Sequence, residues 1–353
     1  MICDQDISIV VQGPVLKQAI FGITDNMTQL VCARLKELFP KSELILSTWN
    51  GANTNDICYD KLVLSEDPGG TWFDLEDLNF TNNCNRLIVS TQAGIKAATR
   101  KYILKVRSDL FIMSKSFLKF FYKFPHFDKP CKFVKNRIIA FSLDTIKGHR
   151  TSLFVQQRPY HISDWAYFGY TEDIQDLYDI PLTKEPEFSQ YFLNRPKHFF
   201  DIHPARLWKM PPEQYITLSF LQKHTDIQFD HMSDIAHHNI ERSEKLLTNN
   251  FLVLDQTQFF LFSLKYAKLQ LLFPFLLSKT AIFFHTWLED YDKYCVLSCE
   301  NKVKIFWRKA WFGFANRVLN LLNYRFAMVQ RFTCFWIKRW IKKFNSTNTI
   351  KIS

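Results

Sequence analysis

Four short apolar runs alternate with segments of helical period up to Asp109, and each run breaks off into polar or turn-forming residues. Ile7-Ser8-Ile9-Val10-Val11 stops at Gln12-Gly13-Pro14, Leu44-Ile45-Leu46 at Ser47-Thr48-Trp49-Asn50-Gly51, and Leu62-Val63-Leu64 at Ser65-Glu66-Asp67-Pro68-Gly69-Gly70. The fourth, Tyr102 to Val106, leads to Asp109. Between them, Thr24 or Asp25 is placed to cap a helix through Met27, Leu30, Val31, Leu35 and Leu38 that ends at Pro40. Asn85 opens a second helix through Leu87, Ile88, Thr91, Ile95 and Ala98.

Strands that are apolar on both faces and alternate with helices describe an α/β fold, a Rossmann-type, mostly parallel sheet covered by helices. Right-handed crossovers put the ends of such strands on one edge, so Gln12, Thr48, Asp67 and Asp109 are expected to converge on one crevice, where open α/β sheets hold ligands. The sequence has no G-x-G-x-x-G and no G-x-x-x-x-G-K-[ST], and its 9 glycines leave little material for either, so a dinucleotide fold and a P-loop are poor fits. Asp109 allows two readings. It is a strand-end carboxylate available for chemistry, or an edge carboxylate paired with Arg107.

From about 130 to 250 the pattern is less regular. That stretch holds His161-Ile162-Ser163-Asp164-Trp165-Ala166-Tyr167-Phe168-Gly169-Tyr170, and Pro211-Pro212-Glu213-Gln214-Tyr215 opening a helix through Ile216, Leu218 and Leu221. Proline followed by a carboxylate suits any helix start, which gives Glu213 a structural reason as well as a chemical one. His231, His237 and His238 are either additions to a metal site or solvated loop residues.

Several segments together resemble the WavE-type family of lipopolysaccharide synthesis proteins, bacterial proteins taken to be glycosyltransferases with a GT-A-like fold. The matching stretches are Ile9-Val10-Val11-Gln12-Gly13-Pro14, Leu46-Ser47-Thr48-Trp49, Tyr59 to Gly69, Asn85-Arg86, Lys105-Val106-Arg107-Ser108-Asp109-Leu110, Ser163-Asp164-Trp165, Pro212-Glu213-Gln214-Tyr215 and Asn249-Asn250-Phe251. The resemblance implies transfer of a sugar from a nucleotide-sugar donor to a lipopolysaccharide or other surface-glycan acceptor, lipid-linked or free. Arg107-Ser108-Asp109 is similar to a D-x-D metal motif with Arg in place of its first carboxylate. A single carboxylate, Asp109, still suffices for a hydrated Mg²⁺ or Mn²⁺, and Arg86, Lys105 or Arg107 offers positive charge in the ion's place. Gln12, Gly13, Pro14, Thr48, Asp67, Arg86 and Arg107 are then expected to bind substrate. Glu213 or Asp164 is expected to act as the base, Glu213 at a helix start and Asp164 on the segment facing the acceptor. A non-catalytic assembly protein and a sugar nucleotidyltransferase are the alternatives.

The net charge of +11 belongs to one end of the chain. Residues 301 to 353 hold 12 Lys and Arg and no Asp or Glu, leaving 33 basic against 34 acidic residues in the first 300. Residues 1 to 250 are therefore read as the GT-A-like domain and 251 to 353 as a helical, basic and aromatic extension. At about 100° per residue, the segment 326 to 344 sets Val329, Trp336, Ile337, Trp340, Ile341 and Phe344 on one side, and Arg331, Lys338, Arg339 and Lys342 on the other. Trp and Phe opposite Lys and Arg fit a helix lying on an anionic membrane surface, or one packed on the catalytic domain with its charges solvated. No nucleic-acid-binding motif accompanies the charge, so nucleic acid is not expected as a partner. The longest uncharged run there, Leu269 to Ser278, has ten residues and contains Pro274, against about 20 needed to span a bilayer. The eight cysteines show neither scaffold nor zinc-knuckle spacing, and the start has no basic n-region, so a cytoplasmic protein peripheral to the inner face of the membrane is expected.

A chain held through this tail pellets with anionic vesicles at low salt and is released at high salt. Changing Lys338, Arg339, Lys342 and Lys343 to Glu is expected to abolish sedimentation while leaving nucleotide binding unchanged. Retention of the variant on neutral and anionic vesicles alike would mean that apolar insertion, and not charge, holds it.

Overall fold

The structure, a computed structural model, describes residues 2–20, 23–75, 78–150, 155–195, 207–232, 234, 237–263 and 281–296, with isolated positions from 307 to 318. The segment 326–344 lies outside the described residues, and so does the tail's proposed amphipathic face.

Seven strands form the central sheet: β1 (Ile7–Gln12), β2 (Glu43–Trp49), β3 (Lys61–Ser65), β4 (Tyr102–Arg107), β5 (Ile138–Phe141), β6 (Ala166–Tyr170) and β7 (Phe251–Leu254). Their order is β7-β5-β6-β4-β1-β2-β3. Neighbours are parallel throughout, except that β6 runs against both β4 and β5. The expected mostly parallel α/β sheet is therefore present, and its first four strands start and stop within three residues of the apolar runs.

Around it lie α1 (Met27–Leu38), α2 (Cys84–Lys96), α3 (Thr171–Tyr178), α4 (Pro212–Gln222), α5 (His237–Asn250) and α6 (Phe284–Tyr291). The cap of α1 is Asn26, whose side chain accepts from the backbone of Gln29 at 3.1 Å, one residue after the predicted cap at Thr24 or Asp25. Strand alternation sorts the two faces. Lys105 and Tyr167 face Tyr178 of α3, while Tyr102, Phe168 and Tyr170 face an aromatic layer containing Phe121, with Phe117 stacked on Phe259 behind it. Helix α2 comes closest to the sheet at Gly94, where a Cβ would lie 2.5 Å from Val10 and 2.8 Å from Ser47. Any side chain there would push the helix off β1 and β2.

The boundary expected at residue 250 falls inside the sheet. Phe251–Leu254 pairs with β5 along its whole length, and Phe283, Phe284, Trp287 and Tyr291 beyond it are buried in the same core. Four apolar residues directly after a long helix carry no turn signal, so the sequence reads as a change of character where the chain in fact re-enters the core.

At the start of β2, Glu43 accepts hydrogen bonds from Ser8 at 2.5 Å and from Thr99 at 2.8 and 3.0 Å, and pairs with Lys61 at 2.7 Å. Burial opposes its ionisation, but these donors outweigh burial and hold the carboxyl down at about 2, against an ordinary 4.5. The group therefore adds stability above pH 4.5 that is lost as pH falls towards 2. Discounted for the half-exposed Lys61, the contribution is about 2 kcal/mol. Glu43→Gln is expected to lower the urea midpoint at pH 7, with the gap to wild type narrowing between pH 4.5 and 2. A gap independent of pH would mean that packing, and not the charge, is lost.

Candidate active site at the strand ends

Because β6 is reversed, its amino end lies at the edge of the sheet where the other six strands have their carboxyl ends. The turn Gln12-Gly13-Pro14 leaves β1 at this edge. Gly13 has φ +119°, its N–H donates to the Ser47 carbonyl at 3.1 Å, and Ser108 Oγ lies 3.2 Å from where a Cβ would stand. Ser108 also donates to the Pro14 carbonyl at 2.7 Å, so the turn is clipped to the end of β4. Gln12 is buried, and its amide donates to Ser90 of α2 at 3.3 Å. Among the described residues its Oε1 has no hydrogen-bond partner, a cost that a ligand's donor would relieve.

Asp67 and Arg86 form a two-pronged ion pair, both bonds 2.7 Å, between the loop after β3 and the first turn of α2. The guanidinium beside it holds the Asp67 carboxyl below the usual range. Arg107 grips Asp109 in the same way, at 3.1 and 2.9 Å, with its guanidinium 5.2 Å from the centre of the Trp165 ring. The pairing anticipated as the second reading of Asp109 is thus present: both carboxylate oxygens are engaged and the residue is 3% exposed. That arrangement does not fit Asp109 as an open metal ligand.

Two expected contributors are fully buried. Thr48 lies within β2, one residue short of the strand end. Lys105 is also fully buried, its ammonium donating to the backbone carbonyl of Asp164, and burial pushes its pKa down to about 8.

Asp164 stands just before β6 and is 5% exposed. Among the described residues no hydrogen bond or ion pair engages its carboxylate; only its carbonyl is held, by Lys105. Glu213 lies in the first turn of α4, as expected. It is joined there by two residues the sequence reading did not single out, Asp144 after β5 and His161 ahead of β6. One ligand atom from each of Asp144, His161 and Glu213 lies within 4.8 Å of the others. Asp144 (φ +66°) and Tyr160 (φ +59°) are both in the left-handed region, which costs about 1 kcal/mol or more at a non-glycine residue. Desolvation first, then the negative charge of nearby carboxylates, raises the pKa of both Asp144 and Glu213.

His231 lies tilted against Tyr191 and edge-on to Phe192, at 5.6 and 5.2 Å between ring centres, and His238 is exposed; neither belongs to this group, and the His237 side chain is outside the described residues. Asp144 had a readable signal, an apolar run Ile138-Ile139-Ala140 ending in an acidic residue, the same signal that singles out Asp109.

A family model described as WavE lipopolysaccharide synthesis matches residues 7–319. The chain belongs to that family. The match covers every strand of the sheet and continues past α6, and it ties this WavE protein to lipopolysaccharide synthesis. No curated protein matches the sequence. Among solved structures, one similar fold is 4-diphosphocytidyl-2C-methyl-D-erythritol synthase from Anaerococcus prevotii, with 16% identity over 55% of this chain and 87% of that one, TM-score 0.30. A second is HddC from Yersinia pseudotuberculosis, with 10% identity over 48% and 79%, TM-score 0.26. A CMP:2-keto-3-deoxy-manno-octonic acid synthetase complexed with CTP has 12% identity over 52% and 80%, TM-score 0.30. Likenesses of this extent assign no activity.

The Arg107–Asp109 pair gives a direct test. Removing Asp109 leaves a partly buried guanidinium without its counter-charge, so Asp109→Ala is expected to cost about 2 kcal/mol of unfolding free energy. In a double-mutant cycle with Arg107→Met, most of that loss should appear as coupling. Additive losses would mean that the two side chains act independently.

Proposed function

We propose that this WavE protein is a glycosyltransferase, moving a sugar from a nucleotide-sugar donor to a lipopolysaccharide or other surface-glycan acceptor. The observation that carries this reading is the position of Asp164: an unengaged carboxylate at the amino end of the reversed strand, amid the carboxyl ends of its parallel neighbours. In an inverting transfer the acceptor hydroxyl attacks the anomeric carbon, the bond from that carbon to phosphate breaks, and the hydroxyl proton passes to a base. Asp164 has the free lone pairs for that role, whereas Asp109 is held by Arg107 and Glu213 lies against Asp144 and His161. The donor's departing phosphate needs positive charge, and Arg107 and Arg86, each oriented by its aspartate, stand at the same edge to supply it. Gln12 and the Gly13 turn line the floor beside them. Among the described residues no helix is long and apolar enough to cross a membrane, and attachment to the anionic inner face through the basic tail would place the enzyme beside a lipid-linked acceptor.

Incubation with UDP-, GDP- and CMP-sugars and membrane glycan should release the free nucleotide and label the glycan. Consumption of a nucleoside triphosphate and a sugar phosphate with release of pyrophosphate would instead identify a sugar nucleotidyltransferase, and absence of any nucleotide-induced thermal shift an assembly protein. Asp164→Asn is expected to lower turnover by about 10²- to 10⁴-fold with donor affinity kept. Near-normal turnover in that variant would remove Asp164 from the chemistry.

A further inference from the structure

Three separate segments bring Asp144, His161 and Glu213 together: the end of β5, the loop before β6 and the first turn of α4. The group is more than a set of surface carboxylates, because His161 is 1% exposed and has a ring nitrogen within 4.8 Å of an oxygen on each acidic partner. Asp164 adds further negative charge, acting on both Asp144 and Glu213. Two carboxylates this close repel each other when both are ionised, and a dication held between them relieves that repulsion while binding both. The residue predicted to hold a metal, Asp109, has both oxygens engaged by Arg107.

We infer that Asp144, His161 and Glu213 form a divalent-cation site, displaced from the strand-end Asp109 to the other side of the reversed strand. Two oxygen donors and one imidazole suit Mn²⁺ or a similar borderline ion better than Mg²⁺, which prefers oxygen throughout. Three protein ligands leave coordination positions open for water or phosphate oxygens. Bound there, the ion would supply positive charge to an incoming phosphate.

The test needs no sugar nucleotide, so its outcome is separate from that of the glycosyltransferase assignment. Mn²⁺ alone is titrated into the full-length protein and followed by electron paramagnetic resonance. One Mn²⁺ per chain is expected to bind, with affinity reduced at least tenfold in Asp144→Asn and in Glu213→Gln and unchanged in Asp109→Asn. Electron spin-echo modulation of the wild type should show coupling to an imidazole nitrogen, lost in His161→Gln, a readout that needs no acidic variant to fold. Lack of Mn²⁺ binding by the wild type, absence of the nitrogen coupling, or loss of binding in Asp109→Asn alone would overturn the assignment.

Discussion

The strand Ala166–Tyr170 runs against both neighbours, and its reversal brings backbone amino ends and carboxyl ends to one edge of the sheet. Its entry is fixed from below. The buried ammonium of Lys105 donates to the Asp164 carbonyl, and the backbone N–H of Arg107 donates to the Trp165 carbonyl at 3.3 Å. A lysine without water is costly, which is why its pKa falls to about 8. The Tyr167 and Tyr178 rings, at 5.8 and 5.9 Å, offset part of that cost by cation–π attraction. Lys105 is therefore a positioning residue for the segment that carries Asp164.

A second buried cation anchors the other half of the sheet. Arg137, 1% exposed and directly ahead of β5, donates to the carbonyls of Phe124, His126 and Thr248, each at 2.7 Å, with the Phe127 ring 3.9 Å away. One planar group thus ties the end of α5 to the segment that covers the sheet. Since β7 follows α5 at once, the same contacts fix the register of the edge strand. The loop carrying Asp144 leaves β5 at the opposite end, where the Ser142 N–H donates to the Leu254 carbonyl at 2.9 Å and the Thr145 hydroxyl to the Phe141 carbonyl at 2.7 Å, so its left-handed backbone is held on both sides.

The first four strands and the first two helices were legible because their apolar runs are bounded by turn residues and separated by helical periods. β5, β6 and β7 were not. They have four or five residues each, and in β6 the aromatic Ala166-Tyr167-Phe168-Gly169-Tyr170 shows no alternation because both of its faces are buried. The direction of a strand leaves no mark in its own residues, so the meeting of Asp164 with the other strand ends required the fold. Asp164 and Glu213 were nonetheless found through their motifs, while Asp144 and His161, in the irregular stretch, escaped. Thr48, read from the same strand-end pattern, is fully buried within its strand.

The edge of the sheet divides by charge. Over β1 to β4 lie the arginines, each locked to its aspartate, and the buried amide of Gln12 with an unsatisfied oxygen. Over β5 and β6 lie Asp144, Asp164, Glu213 and His161, an excess of negative charge for which Arg107 and Arg158 are the cations acting on Asp144. A locked arginine keeps its geometry and its charge, but the adjacent carboxylate cancels part of its field, so neither half alone suits a phosphate well. Neutralising the acidic half, by protons or by a cation, leaves Arg86 and Arg107 as the dominant field along the edge. Affinity for an anionic donor should thus be set as much by what occupies the carboxylates as by the arginines that touch it.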